Sequence, residues 1–149
     1  MSITVVLADD HRVMLEGLQS LLERQPDIQV LACAADGREA VRQVAALHPQ
    51  VAILDIAMPE LNGIEATRQI GALSPATRVI VLTLHSSASH IIRALQAGAR
   101  GYLLKESAGA EVVQAIRTVH AGHRYLSRKI TDHVIDYKGY SIDSSSPKM

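Results

Sequence analysis

Five residues with reactive side chains stand where apolar stretches of this sequence end. Asp9 and Asp10 follow "ITVVLA", Asp55 closes "VAILD", Thr83 closes "RVIVLT", and Lys105 closes "GYLLK". If these stretches are parallel strands of one sheet, their carboxyl ends meet at the same edge. The pattern then predicts a cleft that holds three carboxylates, one hydroxyl and one ammonium group.

The three carboxylates of this predicted cleft repel one another and require a cation. At an effective dielectric constant of about 20, each pair of like charges about 4 Å apart costs about 4 kcal/mol. Lys105 supplies one positive charge, which cannot balance three negative ones. Mg²⁺ meets this need, because it typically binds through one or two carboxylates and keeps room for phosphate oxygens. We therefore expect Asp55 to pair with both Mg²⁺ and Lys105.

Each of these residues also has an ordinary structural explanation. A single aspartate at a strand end is usually a turn residue or a helix cap. A single lysine such as Lys105 is usually solvated, and Thr83 alone is an ordinary strand residue. The conjunction of polar groups at four of the five predicted strand ends favours a functional site. His11, next to the acidic pair, is interpreted as a solvated loop histidine rather than as a residue that supports the site.

The elements that would position these residues alternate along the chain. Apolar, β-branched stretches predict strands, and apolar residues at helical spacing predict helices between them. Asp36 is expected to cap the second helix, with Glu39 three residues later as in a capping box. Strands that alternate with helices are typical of an α/β fold with helices on both faces of a parallel sheet. Predicted strands cover 3–8, 28–35, 51–55, 78–83 and 101–105, and predicted helices cover 13–23, 37–48, 62–73, 87–98 and 109–122.

Composition narrows the class of protein. The chain has 149 residues, a formal net charge of zero, 48% hydrophobic residues and 3% aromatic residues. This length and hydrophobic content suffice for one domain with a core, whereas the charge and the few aromatic residues argue against a nucleic-acid-binding surface. The only cysteine, Cys33, is expected to be a small core residue. No disulfide, signal peptide or membrane span is predicted, and we expect a cytoplasmic protein.

Longer stretches of the sequence carry a family resemblance. The segments "LADDHRVMLEGL", "DIAMPELNGIEATRQI", "VIVLTLHSS" and "GARGYLLKESAGAEVVQAIRTVHAG" resemble the receiver domain of two-component response regulators over about residues 1–125. The segments "LTLHSS", "AGARGYLLK" and "HAGHRYLS" are similar to receivers of the NarL/FixJ (LuxR-type) family. The resemblance implies a flavodoxin-like (CheY-like) doubly wound fold with five parallel strands in the order 2-1-3-4-5 and five helices. It implies a receiver domain at 1–125 and a linker or tail at 126–149.

The resemblance also implies a chemistry for the acidic residues. Asp55 would be the phosphoacceptor, which takes a phosphoryl group from a sensor histidine kinase. Asp10 and Asp55 would bind Mg²⁺ directly, Asp9 would help through water, and the backbone carbonyl of Ala57 would be a further ligand. The chain would catalyse its own phosphorylation and dephosphorylation without being a turnover enzyme.

Three further residues take their expected roles from the resemblance. Lys105 would form an ion pair with Asp55 and then with the phosphoryl group, and Thr83 would donate a hydrogen bond to a phosphoryl oxygen. Tyr102 stands where receivers carry the aromatic side chain that turns inward with that threonine. From the residues alone, without the family resemblance, Tyr102 is predicted to be a half-exposed strand tyrosine. Phosphorylation is expected to promote homodimerisation through a surface at about 87–120.

Other functions fit the residues less well. A phosphatase of the haloacid dehalogenase type needs a proton donor two residues after the nucleophile, where this chain has Ala57. A dinucleotide-binding domain needs a glycine-rich turn after the first strand, where this chain has "ADDHR".

The expected function is therefore a receiver that controls transcription through a DNA-binding output domain absent from this chain. The alternative is a stand-alone receiver that signals by protein contact. Residues 126–149 are expected to form a short helix begun by Ser127, with Ile130 and Val134 on one face, or a frayed linker.

Overall fold

Strands and helices alternate along almost the whole described chain. A computed structural model describes residues 2–84 and 88–127. In chain order the elements are β1 (Ile3–Ala8), α1 (Arg12–Glu23), β2 (Ile28–Ala34), α2 (Gly37–Leu47), β3 (Val51–Asp55), α3 (Gly63–Leu73), β4 (Arg78–Thr83), α4 (Ala88–Gln96), β5 (Gly101–Leu104), α5 (Lys105–His120) and β6 (Tyr125–Leu126). None of the helices in these residues is both long and apolar enough to cross a membrane.

The strands form one parallel sheet in the order β2-β1-β3-β4-β5-β6. The predicted α/β class, strand order and five helices are confirmed, but the prediction of five strands was one strand short. The additional strand, β6, has two residues, so it has no periodicity by which the sequence could reveal it. The Tyr125 N–H donates to the Arg100 carbonyl (3.0 Å), and the Ser127 N–H donates to the Tyr102 carbonyl (3.1 Å).

Two apolar layers enclose the sheet. On one face α1 and α5 cover Val5, Leu7 and Ile53, and on the other face α2, α3 and α4 cover Val6 and Leu54. Side chains of a strand alternate between the two faces, and each face here is buried under helices. This arrangement explains why the central strands are apolar throughout, as the sequence indicated.

Most predicted boundaries lie within one or two residues of the observed ones. The capping box of α2 is present: the Glu39 N–H donates to Asp36 Oδ1 (2.8 Å), and Glu39 Oε1 accepts from the Ala35 N–H (3.2 Å). The clearest error is α5, which begins at Lys105 instead of the predicted 109. Gly109, the first residue of the predicted helix, lies inside the observed one. Lys105 is consequently the first residue of a helix and not the last residue of a strand.

Cys33, expected to be a small core residue, is only partly buried. It packs against the core, and its thiol donates to Gln19 Oε1 (3.4 Å).

At the end of the described chain, Ser127 is fully buried and its hydroxyl accepts from the Leu104 N–H (3.3 Å). The helix predicted around Ile130 and Val134 falls outside the described residues.

Candidate functional site

A buried lysine joins two buried aspartates at the carboxyl edge of the sheet. Lys105 Nζ donates to Asp55 Oδ2 at 3.0 Å and to Asp9 Oδ1 at 3.1 Å. The side chains of Asp9, Asp55 and Lys105 are 1%, 2% and 5% exposed. The end of β3 supplies Asp55, the residue after β1 supplies Asp9, and the first turn of α5 supplies Lys105. The convergence that the strand ends predicted is therefore present for these three residues.

An acidic cluster surrounds this ion pair. One ligand atom each from Asp9, Asp10, His11 and Asp55 lies within 4.8 Å of the others. Asp9 Oδ2 is buried and lies 3.1 Å from Lys105 Nζ, so the one ammonium faces both oxygens of this carboxylate. The single ammonium does not balance the carboxylates of Asp9, Asp10 and Asp55, and a cation would relieve their mutual repulsion. The cluster therefore fits a divalent cation with oxygen ligands, and Asp10, with a side chain 34% exposed, leaves an open side.

His11 belongs to this cluster, contrary to our expectation of a solvated loop histidine. Its Nδ1 lies 2.8 Å from Lys105 Nζ and 3.1 Å from Asp9 Oδ1. The His11 N–H also donates to Asp9 Oδ1 (2.8 Å), which turns the chain into α1. The ring keeps one side in solvent, since 57% of the side chain is exposed. Only its position next to the acidic pair signalled this placement in the sequence.

The loop between β3 and α3 holds the Asp55 carboxylate from its other side. The Ala57 N–H donates to Asp55 Oδ1 (3.1 Å), so both carboxylate oxygens of Asp55 accept a hydrogen bond. The Gly63 N–H donates to the Ile56 carbonyl (2.9 Å) and closes the loop. A Cβ atom on Gly63 would lie 2.5 Å from the Asp55 carbonyl oxygen. Only glycine fits there, because backbone atoms cannot give way as a flexible side chain can.

Thr83 and Tyr102 lie on the strands beside Asp55. Thr83 ends β4 and pairs with Leu104, the residue before Lys105, while Tyr102 pairs with Val81. Both side chains are buried, at 1% and 0% exposure. Burial raises the pKa of the Tyr102 phenol, and the neighbouring Thr83 hydroxyl partly offsets that rise. Tyr102 is thus an inward-facing tyrosine rather than a half-exposed one.

Comparison with known proteins agrees with this geometry. A family model described as the response regulator receiver domain matches residues 5–117. The chain belongs to the response regulator receiver domain family. The crystal structure of a LuxR-family two-component response regulator from Aurantimonas sp. SI85-9A1 superposes on this receiver with a TM-score of 0.88 and 36% identity. That match covers 94% of this chain and 100% of the other, and it agrees with the LuxR-type resemblance of the sequence.

Relatives known from sequence are longer than this receiver. The uncharacterized transcriptional regulatory protein YhcZ of Bacillus subtilis is 40% identical over 144 residues, which are 97% of this chain and 67% of that protein. The transcriptional regulatory protein DegU of Brevibacillus brevis is 38% identical over 133 residues, which are 89% of this chain and 56% of that protein. The receiver therefore spans between 56% and 67% of the length of these curated relatives.

Proposed function

We propose that this receiver domain accepts a phosphoryl group on Asp55 from a sensor histidine kinase. The observation that carries the proposal is the position of Asp55: a buried carboxylate at a strand end, hydrogen-bonded to Lys105 and to the Ala57 N–H. Asp9 and Asp10 lie beside it. A carboxylate held this way is oriented for nucleophilic attack, because its position is fixed before the donor arrives.

In the proposed reaction, one oxygen of Asp55 forms a bond to the phosphorus of a phosphohistidine. The phosphorus–nitrogen bond of the donor breaks, and the imidazole leaves with the electron pair. The product is an aspartyl phosphate on this chain and a free histidine on the kinase. The Lys105 ammonium donates hydrogen bonds to the oxygens of the transferred group.

Asp10 and Asp55 would hold Mg²⁺ directly, with Asp9 acting through water and the Ala57 carbonyl as a further ligand. The excess of three carboxylates over one ammonium supports a cation at this place. When bound, Mg²⁺ would neutralise negative charge on the transferring phosphoryl group. The role of each ligand follows from the family resemblance and from the cluster of oxygen atoms.

Thr83 and Tyr102 would carry the signal from Asp55 to the surface. A phosphoryl group adds about −1.5 to −2 charges, and the Thr83 hydroxyl is the candidate donor to one of its oxygens. Tyr102 would follow Thr83, because their buried side chains are neighbours. We propose that the surface formed by about 87–120 then promotes homodimerisation.

We also propose that the longer protein controls transcription through a DNA-binding output domain outside this chain, with the receiver at about 1–125 and a linker from 126. The names of the relatives as transcriptional regulatory proteins support this proposal. A stand-alone receiver that signals by protein contact is the alternative. We further propose that the protein is cytoplasmic. It would catalyse its own phosphorylation and dephosphorylation at Asp55 without turning over a separate substrate.

Acetyl phosphate tests the central reaction without a kinase. We expect wild-type chain with acetyl phosphate and Mg²⁺ to gain about 80 Da in intact mass, and we expect no gain with a chelator or in Asp55→Asn. Light scattering on the same samples tests dimerisation, since a rise in mass should accompany the modification. An unmodified wild-type chain that also fails to bind beryllofluoride, a mimic of the aspartyl phosphate, would count against the proposed function.

A further inference from the structure

After α5 the chain returns to the sheet and lies along the edge of β5 that faces away from β4. We call this segment, residues 125–127, the exit strap. Its backbone is bonded to β5 at two points: the Tyr125 N–H donates to the Arg100 carbonyl (3.0 Å), and the Ser127 N–H donates to the Tyr102 carbonyl (3.1 Å). The exit strap is therefore bonded to the strand that carries Tyr102 and leads into the site.

The hydroxyl of Ser127 makes a further bond at the end of this strand. It accepts the N–H of Leu104 at 3.3 Å. Leu104 is the last residue of β5 and the residue before Lys105, which begins α5. Ser127 is 0% exposed and Leu104 is 6% exposed. A buried N–H that loses its acceptor has no water to replace it. The Ser127 hydroxyl therefore holds the backbone immediately before Lys105.

The position of this backbone determines where the Lys105 ammonium lies. Lys105 Nζ is 3.0 Å from Asp55 Oδ2, within the narrow range of distances that a hydrogen bond allows. Its side chain is 5% exposed, so close packing leaves it little room to compensate for a shift of its own backbone. On the side of β5 opposite the exit strap, Leu104 pairs with Thr83 of β4. Leu104 thus lies between Thr83 and Ser127.

We propose that Ser127 is a positioning residue for Lys105, and that it couples the phosphoacceptor site to the chain that continues beyond the exit strap. In the phosphorylated state, Lys105 has to reach the group carried by Asp55. The Ser127 hydroxyl favours that placement, and the phosphorylated state favours the Ser127 contact in return, because coupling between two sites is reciprocal. The exit strap is consequently held more firmly when Asp55 is phosphorylated. The inference rests on the proposed function of Asp55.

Two substitutions of Ser127 test the role of its hydroxyl. Ser127→Ala removes the hydroxyl but keeps the N–H that donates to the Tyr102 carbonyl, so the exit strap retains its backbone bonds. We expect Ser127→Ala to bind beryllofluoride about fivefold more weakly than wild type, at the lower end of the usual coupling between two sites. Ser127→Thr keeps a hydroxyl and should return the affinity toward that of wild type. Fluorine NMR titration of the full chain at saturating Mg²⁺ measures the affinity.

A variant at the other end of the sheet separates positioning from a general loss of stability. Thr77 is buried just before β4, and its hydroxyl donates to the Pro49 carbonyl (2.6 Å). Thr77→Ala removes a buried hydroxyl bond as Ser127→Ala does, so we expect the two variants to lose similar stability. Thr77→Ala should nevertheless bind beryllofluoride as wild type does. Equal losses of affinity in the two variants would refute the positioning role of Ser127.

Amide hydrogen exchange of the wild-type full chain provides a test that needs no substitution. The Leu104 N–H should exchange slowly in the free chain, because it is buried and bonded to Ser127. Saturation with beryllofluoride and Mg²⁺ should slow its exchange about fivefold further, since reciprocity requires the same factor. The Arg78 N–H, bonded to the Gln50 carbonyl at the amino end of β4, is the control and should respond less. Unchanged or faster exchange of the Leu104 N–H would overturn the coupling.

The outcomes distinguish this inference from the proposed function. If wild-type chain binds beryllofluoride and Asp55→Asn does not, the phosphoacceptor role stands whatever Ser127 does. Equal affinities of wild type and Ser127→Ala would then refute the positioning role alone. If wild-type chain binds no beryllofluoride, the proposed function fails, and the inference fails with it.

Discussion

The Lys105 ammonium lies 3.0 Å from the Asp55 carboxylate, although 50 residues separate them in the sequence. The pair is buried, and Asp9 shares the same ammonium. Two buried carboxylates therefore depend on one cation. This dependence connects the stability of the domain to its chemistry, since whatever binds the carboxylates also stabilises the fold.

Removing the Lys105 charge should make the domain depend on a divalent cation. We expect Lys105→Met to lower the free energy of unfolding by about 3 kcal/mol in the presence of a chelator, because two buried carboxylates lose their partner. Mg²⁺ should stabilise this variant more than it stabilises wild type. Urea unfolding at several Mg²⁺ concentrations measures both effects, and equal Mg²⁺ increments in the two proteins would contradict the prediction.

The same loss of Lys105 should separate phosphorylation from switching. Without its ammonium, Asp55 remains a nucleophile, so acetyl phosphate should still modify Lys105→Ala. The phosphoryl group would lack its buried cationic donor, and dimerisation should fail. Intact mass and light scattering on one sample test this pair of outcomes. A variant that is modified and dimerises as wild type does would refute the role of Lys105 in the switch.

Two glycines of α3 should respond in opposite directions to the same substitution. A methyl group on Gly63 meets the Asp55 carbonyl at 2.5 Å, whereas nothing lies within 4 Å of the corresponding position on Gly71. We expect Gly63→Ala to cost about 3 kcal/mol and to slow phosphorylation, because the Asp55 loop must shift. Gly71→Ala should gain about 0.5–1 kcal/mol from helix propensity. A Gly63→Ala chain as stable as wild type would show that the loop is not closely packed.

The buried Ser127 hydroxyl should contribute to stability through Leu104. It accepts the Leu104 N–H at the junction of β5 and α5, next to Lys105. Ser127→Ala leaves this buried donor unsatisfied, so we expect a loss of about 1–3 kcal/mol. Ser127→Thr keeps a hydroxyl and serves as the matched variant, and Ser20→Ala on the exposed surface is the control. Chemical denaturation measures the free energy of unfolding of each variant. A Ser127→Ala chain as stable as wild type would mean that the hydrogen bond contributes little.

An ion pair distant from the site predicts a pH effect in a defined direction. Arg117 of α5 donates to both carboxylate oxygens of Asp27 (2.8 and 2.9 Å), and this bond lowers the pKa of Asp27 below its ordinary 3.8. The Asp27 carboxylate is therefore protonated more readily in the unfolded chain than in the folded one. The ion pair contributes to the stability of the fold above about pH 4, and this contribution is lost as the pH falls further. Asp27→Asn should be less stable than wild type at neutral pH. The difference in melting temperature should shrink on acidification, and a constant difference would contradict the assignment.

The fold and most of the site could be predicted from the sequence because their signals are local. Apolar strands, helical spacing and the capping box at Asp36 predicted the elements and the sheet. Asp9, Asp55 and Lys105 stand at the ends of these elements, so the parallel topology alone brings them together. Their functional roles came from the family resemblance and not from the spacing.

The features that sequence reasoning missed depend on contacts between distant residues. His11 meets Lys105 across 94 residues, and nothing near His11 indicates that partner. β6 is too short to show a pattern, and its backbone bonds to β5 are tertiary contacts. The start of α5 was predicted at 109, but the helix begins at Lys105, where Ala108 and Val112 pack its first turns into the core beneath the sheet.

The most direct test of the account is to locate the phosphoryl group on the chain. Borohydride reduces an aspartyl phosphate to homoserine, which marks the modified aspartate covalently. The chain is treated with acetyl phosphate and Mg²⁺, reduced, digested and sequenced by mass spectrometry. The account predicts homoserine at Asp55 alone, and none without Mg²⁺. Homoserine at Asp9 or Asp10, or continued phosphorylation of Asp55→Asn, would contradict the assignment of Asp55 as the phosphoacceptor.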